Sequence, residues 1–333
     1  MNNFDDILES SAARNNLNDQ PFDKDAWAEK KQAERQAVYE MADAAAAEVC
    51  ADGEKFRAYL DTQTRFDRYS VTNALLILAQ MPEATQLKDF DGWKDAGASI
   101  KRQQKGISIL EPGEEYTRED GTIGTSYNVK KVFDISQTTA SSSRTPYRSF
   151  PPKGEKLARS VAPPLPTKSD DFAGTPSTTQ PTVSVDDRLL LKALIHRPPV
   201  PIQMVDELPG NMGALYDHDQ QVIFVRRGMD APNIFRSVSM ELAHAEIASA
   251  REDYTRDSAA FSAYCASYML CRKNGVDVRG YDFGSLPESL RESDPQTQRA
   301  ALSEIRDTAA GISARMSRVL EQNKAPKSKE QER

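Results

Sequence analysis

The stretch FRAYLDTQTRFDRYSVTNALLILAQMPEATQLKDFDGWKDAGASIKRQQKGISILEPG, residues 56–113, decides how the chain is read. Phe56, Tyr59, Leu60, Gln63 and Phe66 follow helical spacing. Ser70 is placed to cap a second helix through Ala79, built on Asn73-Ala74-Leu75-Leu76-Ile77-Leu78. The Met81-Pro82-Glu83 turn stops it, because proline lacks the amide that a further helical turn needs. A short helix over Asp91–Ala96 leads through Gly97 into the basic loop Lys101-Arg102-Gln103-Gln104-Lys105-Gly106. Ile107, Ile109 and Leu110 then read as a strand, with a turn at Asp120-Gly121. Tyr127, Val129, Val132 and Phe133 read as its return. Residues 54–137 are therefore expected to be a compact α+β unit.

The same stretch interleaves cations (Arg57, Arg65, Arg68, Lys94, Lys101, Arg102, Lys105) with aromatics (Phe66, Tyr69, Phe90, Trp93). Single-stranded nucleic acid is bound by that combination, since cations track phosphates while aromatic faces stack on unpaired bases. Composition alone also fits a plainer account, with the aromatics in the core and the cations on a solvated face. For Trp93 the core role is favoured.

Outward from this unit the composition changes. Residues 1–24 are polar and aperiodic, which fits a disordered arm, and residues 25–51 are rich in helix formers. Their thin apolar stripe is Trp27, Val38, Met41, Ala45 and Val49. Residues 138–185 hold 8 Pro and 16 Ser or Thr, so little apolar surface offsets the entropy of ordering them. They read as a linker between two independently folded units. The second unit spans 186–321, and a polar tail covers 322–333. It is expected to contain a helix at Leu189–Ile195, a strand at Val200–Val205 and a hairpin of Ala214–Asp217 with Val222–Arg226. Helices over 231–250, 256–273 and 295–320 follow, the second ended by Asn274-Gly275.

Formal charge is −7 overall, and residues 1–53 alone carry five cations against twelve acids. The remainder is balanced, so an anionic partner is not excluded. Mean hydropathy is −0.63, and no window approaches a membrane-spanning apolar run. The acidic start lacks a secretory layout, and three cysteines are too few for a disulfide framework. A cytoplasmic protein with no membrane partner is expected.

The segments RFDRYSVTNALLI (65–77), Trp93-Lys94, KRQQKGISIL (101–110) and KKVFDISQT (130–138) resemble the N-terminal domain of ArdC-type antirestriction proteins. Such proteins are carried by plasmids and integrative elements. The resemblance implies a single-stranded DNA-binding module. The expected contacts are Arg65, Arg68, Tyr69, Trp93, Lys94, Lys101, Arg102 and Lys105.

In that family the second domain has a zincin-like metallopeptidase fold, and residues 213–247, GALYDHDQQVIFVRRGMDAPNIFRSVSMELAHAEI, resemble its hairpin and active-site helix. An H-E-x-x-H helix presents two imidazoles on one face to Zn²⁺, with the Glu as general base. Here the motif reads Met240-Glu241-Leu242-Ala243-His244. Glu241 is the remnant base and His244 the remnant ligand, but Met240 is a poor zinc donor. The family's third, acidic ligand falls by alignment at Tyr264, with Asp257 and Cys265 as neighbouring substitutes. His196 and His218 read as ordinary surface or loop residues. The expectation is a degenerate zincin-like domain with no cofactor, Zn²⁺ being the one candidate. A partner strand could still add beside Val222–Arg226.

The whole chain is thus expected to be α+β. It reads as a single-stranded DNA-binding accessory or antirestriction-type protein of a mobile element, meeting restriction or conjugation proteins. The alternative is a peptidase-like or partner-binding module recruited to DNA by its first domain.

Overall fold

A computed structural model describes residues 23–118, 120–142 and 185–323. Nearly all of the expected arm and linker and most of the tail lie outside those residues.

The first half is three helices, a short strand, a fourth helix and a long hairpin: α1 (Lys24–Ala51), α2 (Gly53–Arg65), α3 (Val71–Gln80), β1 (Leu87–Lys88), α4 (Phe90–Asp95), β2 (Ile107–Thr117) and β3 (Ile123–Asp134). Side-chain caps explain the starts. Asp23 accepts from Asp25 N and Ala26 N, Asp52 from Lys55 N, Ser70 from Asn73 N and Asp89 from Gly92 N. The buried stripe of α1 is Val38, Ala42, Ala45, Ala46, Val49 and Cys50, whereas Trp27 and Met41 are exposed. Small residues, not the larger apolar ones, face inward and let α1 lie close against α3 and the hairpin.

The sheet order is β1-β3-β2, all antiparallel, with Ile107 opposite Val132 and Leu110 opposite Val129. β2 is an edge, and α3 closes it with two carboxamides. Asn73 exchanges two hydrogen bonds with the Leu110 backbone, both 2.8 Å, and Gln80 does the same with Ser108 at 2.9 Å. The helix thereby occupies the backbone groups that an edge strand otherwise offers to another chain. Residues 138–142, expected to open the linker, belong to this half. Thr138 is fully buried and bridges to Ile100, and the Thr139 hydroxyl accepts from Ser99 N.

The second half comprises α5 (Val185–Leu194), β4 (Ile202–Val205), β5 (Ala214–Asp217), β6 (Val222–Arg226), α6 (Ala231–Ala250), α7 (Arg256–Lys273), α8 (Glu288–Arg291) and α9 (Pro295–Gln322). The expected hairpin forms, and β4 joins the other side of β6 in parallel, giving the order β4-β6-β5. Val222–Arg226 is therefore the central strand. Both of its edges are paired, so no partner strand can add there.

The two halves are not independent. One continuous core runs from Ala45 through Leu75 to Ala193 through Val319. Phe56 on α2 packs on Phe261 and Phe283, at ring-centroid separations of 5.4 and 5.8 Å. A side chain added at Gly53 would run into the Phe283 carbonyl, so the halves meet backbone to backbone. Polar ties surround this contact: Asp61 accepts from Tyr268 and Arg272, Lys273 reaches Asp67, and Arg57 donates to Tyr281 O. Separate units are the expectation from the proline-rich segment; in the structure the apolar faces of α1 and α2 pack into a core shared with the second half. Cys50, Cys265 and Cys271 are free and buried. Among the described residues no helix is long and apolar enough to cross a membrane.

Candidate functional site

The first candidate is an open groove of about 620 Å³ where the start of α3 meets β2 and β3. Its lining includes Arg68, Tyr69, Lys88, Tyr127, Lys130 and Arg306. Arg68 is exposed, and Tyr69 is half-buried with its ring edge-on to Phe66 at 5.8 Å. Burial pushes the Tyr69 hydroxyl pKa up, so the phenol stays neutral at ordinary pH. Two acids also line the groove, Asp89 and Glu111, and Lys130 bridges both at 2.9 and 3.1 Å. The cations outnumber the acids, and the acids are already paired.

The expected contacts divide into three groups. Arg68 and Tyr69 lie in the groove. Lys94, Arg102 and Lys105 are exposed on α4 and on the loop before β2, which is held where Gln137 donates to Lys105 O. The others make contacts of their own within the fold. Trp93 is 3% exposed and its Nε1 donates to Phe133 O at 2.8 Å, so neither ring face can meet a base. Lys88 covers that ring at 5.3 Å. Arg65 donates to Pro82 O at 2.6 Å and to the Thr62 hydroxyl, pinning the end of α2 to the following turn. Lys101 Nζ donates to Ser136 O at 2.9 Å. Sequence reasoning missed Lys88, Tyr127, Lys130 and Arg306. The first three lie on short β1 and on the returning strand β3, and Arg306 is on α9, so no local spacing links them to Arg68.

The second candidate is the Glu241–His244 turn of α6. Glu241 is wholly buried, and each carboxylate oxygen takes one bond from Arg256, at 2.7 and 2.8 Å. Oε2 also accepts from Tyr216 N on β5 at 2.7 Å. Three of the carboxylate's roughly four acceptor positions are thereby filled, two of them by one bidentate guanidinium. His244 is 2% exposed, with Nδ1 3.1 Å from the Tyr254 hydroxyl. Burial, and secondarily Arg256, outweighs the attraction of Glu241 and pulls its pKa down to about 4. Tyr264 is not turned toward His244. Its hydroxyl accepts from Asp282 N at 2.7 Å, and its ring packs on Tyr281 and Phe283. Met240 packs against the main core. Among the described residues no group of three or more His, Cys, Asp or Glu side chains could hold a metal. One imidazole beside a thioether and a neutralised carboxylate does not fit catalytic zinc.

The low pKa of His244 has a consequence for stability. Between about pH 6.5 and 4 the unfolded chain binds this proton and the folded chain does not, so stability falls as pH falls through that window. Urea unfolding at pH 7 and pH 5 measures the loss. His244→Gln is expected to shrink the difference between the two, and an unchanged difference would assign the loss to other groups.

No protein-family model matches the chain, and no curated protein matches it. Among solved structures it is similar to the metal-free crystal structure of the antirestriction ArdC protein from the R388 plasmid. That match has 15% identity, covers 75% of this chain and 86% of that one, and has a TM-score of 0.44. The Mn(II)-bound structure of the same protein matches at 16% identity over 78% and 86%, with a TM-score of 0.39.

Proposed function

We infer that the chain binds single-stranded DNA in the groove at the start of α3 and serves as an antirestriction-type accessory protein of a mobile element. On this reading it works in the cytoplasm, and its peptidase-like half is a scaffold with no catalytic metal. The observation that carries the reading is the pairing of a half-buried tyrosine, Tyr69, with exposed Arg68 in an open groove that Tyr127 and Lys88 continue. Aromatic faces take unpaired bases and the flanking cations take phosphates, which duplex DNA with its stacked bases cannot exploit equally. Lys94, Arg102 and Lys105 supply a second exposed basic cluster nearby in sequence. The rival reading, a peptidase recruited to DNA, has against it the Arg256 guanidinium clamped on Glu241.

The test is binding of labelled single-stranded DNA, duplex DNA and single-stranded RNA to the full chain across a salt series. Tyr69→Ala is expected to cost roughly 1–3 kcal/mol of single-strand affinity and leave the salt slope nearly unchanged. Lys94→Ala, Arg102→Ala and Lys105→Ala together are expected to weaken all sequences alike. They should also flatten the slope of log K against log[salt] by about 0.7 for each phosphate released, hence about two units. Equal affinity for duplex and single strand, or a Tyr69→Ala variant with unaltered binding, would sink the reading.

A further inference from the structure

We propose that Arg306, on the C-terminal helix α9, is a phosphate contact of this groove, so that the nucleic-acid site is completed by both halves of the chain. This rests on the groove being a single-stranded DNA path. Three observations place Arg306 in it.

The first is position. α9 packs against α3, and Arg306 shares the groove lining with Arg68 and Tyr69, which flank the start of α3. The chain separation is over two hundred residues, so only the common core brings these groups together.

The second is the state of the guanidinium. Among the described residues its only ion pair is Nη1 with the adjacent Asp307 at 3.1 Å, and that carboxylate is 63% exposed. Its Nε is buried with no hydrogen-bond acceptor among the described residues. The side chain is half-buried, 29% exposed, and its solvent-facing donors are on the Nη end, where one is in that single pairing. A planar fork with uncommitted N–H groups matches a phosphodiester bidentately, as a lysine cannot.

The third is what surrounds it. Asp67, the nearest acid on the α2–α3 turn, is taken by Lys273 on α7. Lys130 holds both acids of the groove lining. Neither acid of the groove lining is therefore left for Arg306 to neutralise, and an incoming phosphate competes there only with the exposed Asp307 carboxylate.

The experiment uses the full chain, with fluorescence anisotropy of a labelled oligothymidylate and of the matching duplex, at several salt concentrations. Arg306→Ala is expected to weaken single-strand binding about tenfold at low salt and to make the salt slope shallower by about 0.7, one phosphate's worth. Arg306→Lys keeps the charge and is expected to restore the slope with only part of the affinity. Arg318→Ala, an exposed cation on the same helix outside the groove lining, is expected to change neither. Arg306→Gln, which keeps most of the stem, replaces Arg306→Ala should that variant melt early. If Tyr69→Ala weakens binding while the Arg306 variants keep wild-type affinity and slope, the groove reading stands and the two-half site is wrong. If the unaltered chain binds no single-stranded DNA, both are wrong. An equal loss in Arg318→Ala would reduce Arg306 to general surface charge and overturn the proposal.

Discussion

Arg256→Met is expected to lower the unfolding free energy by about 3 kcal/mol, the low end of the range for stripping one partner from a buried ion pair. Glu241 is fully buried and takes two of its three hydrogen bonds from that guanidinium, so removal leaves a carboxylate with a single donor, Tyr216 N. The low end applies because the Arg256 side chain is 37% exposed and water can partly replace it. Arg256→Lys should recover only a fraction, since one ammonium cannot serve both oxygens. Replacing both members, Arg256→Met with Glu241→Leu, should return much of the loss, because no charge is then left buried. Chemical denaturation of the unaltered chain, Arg256→Met, Glu241→Leu and the double variant forms a double-mutant cycle. A coupling under about 0.5 kcal/mol would mean that the pair does not hold α6 to α7.

The same pair bears on zinc. Met240→His with Tyr264→Glu restores donors by composition, yet Arg256 still neutralises Glu241 and residue 264 still faces the Asp282 backbone. The double variant is expected to purify with less than stoichiometric zinc, as read by metal analysis.

How much of this was legible in the sequence depends on the range over which each signal acts. Local signals held. The Ser70 cap, the Pro82 stop and the Asn274-Gly275 end are set by one or two residues, and all three fall where expected. The Ala214–Asp217 hairpin was readable because alternation and a four-residue turn sit side by side. Longer-range facts were not. Neither Gln80 nor Asn73 announces that it closes the edge of β2 from across thirty residues. Trp93 and Tyr69 are both aromatics within a basic stretch, and only the fold puts one under Lys88 and leaves the other half-open.

The degenerate motif shows the same division. That Met240 stands where an H-E-x-x-H pattern has its first histidine is visible in five letters. That Arg256, at the first turn of the next helix, fills the cationic role against Glu241 is not, because an arginine at a helix start looks like a solvated one. Arg65 and Lys101 show the opposite case: each reaches a backbone carbonyl that spacing cannot locate.

Phe56→Ala is expected to destabilise the whole chain by about 3–5 kcal/mol, the usual cost of emptying a buried aromatic site. Phe56 is fully buried and touches aromatics from both halves: Tyr59 on its own helix, and Phe261 and Phe283 beyond the proline-rich segment. The cavity cannot collapse easily, since Gly53 already brings the α2 backbone against the Phe283 carbonyl. If the halves were separate domains, the loss would stay in the first, and α6 and α7 would keep their protection. With one shared core, opening should propagate. Hydrogen exchange read by mass spectrometry distinguishes the two, because it reports opening free energies segment by segment. The expected result is faster exchange in peptides from Gly53–Arg65 and Arg256–Lys273 alike, by a similar free energy. Thermal unfolding should remain a single step, shifted down by roughly 10 °C. Exchange that quickens in the first helix pair and stays unchanged in the second would restore the picture of two domains on a tether. It would also free the α3 groove from any dependence on Arg306.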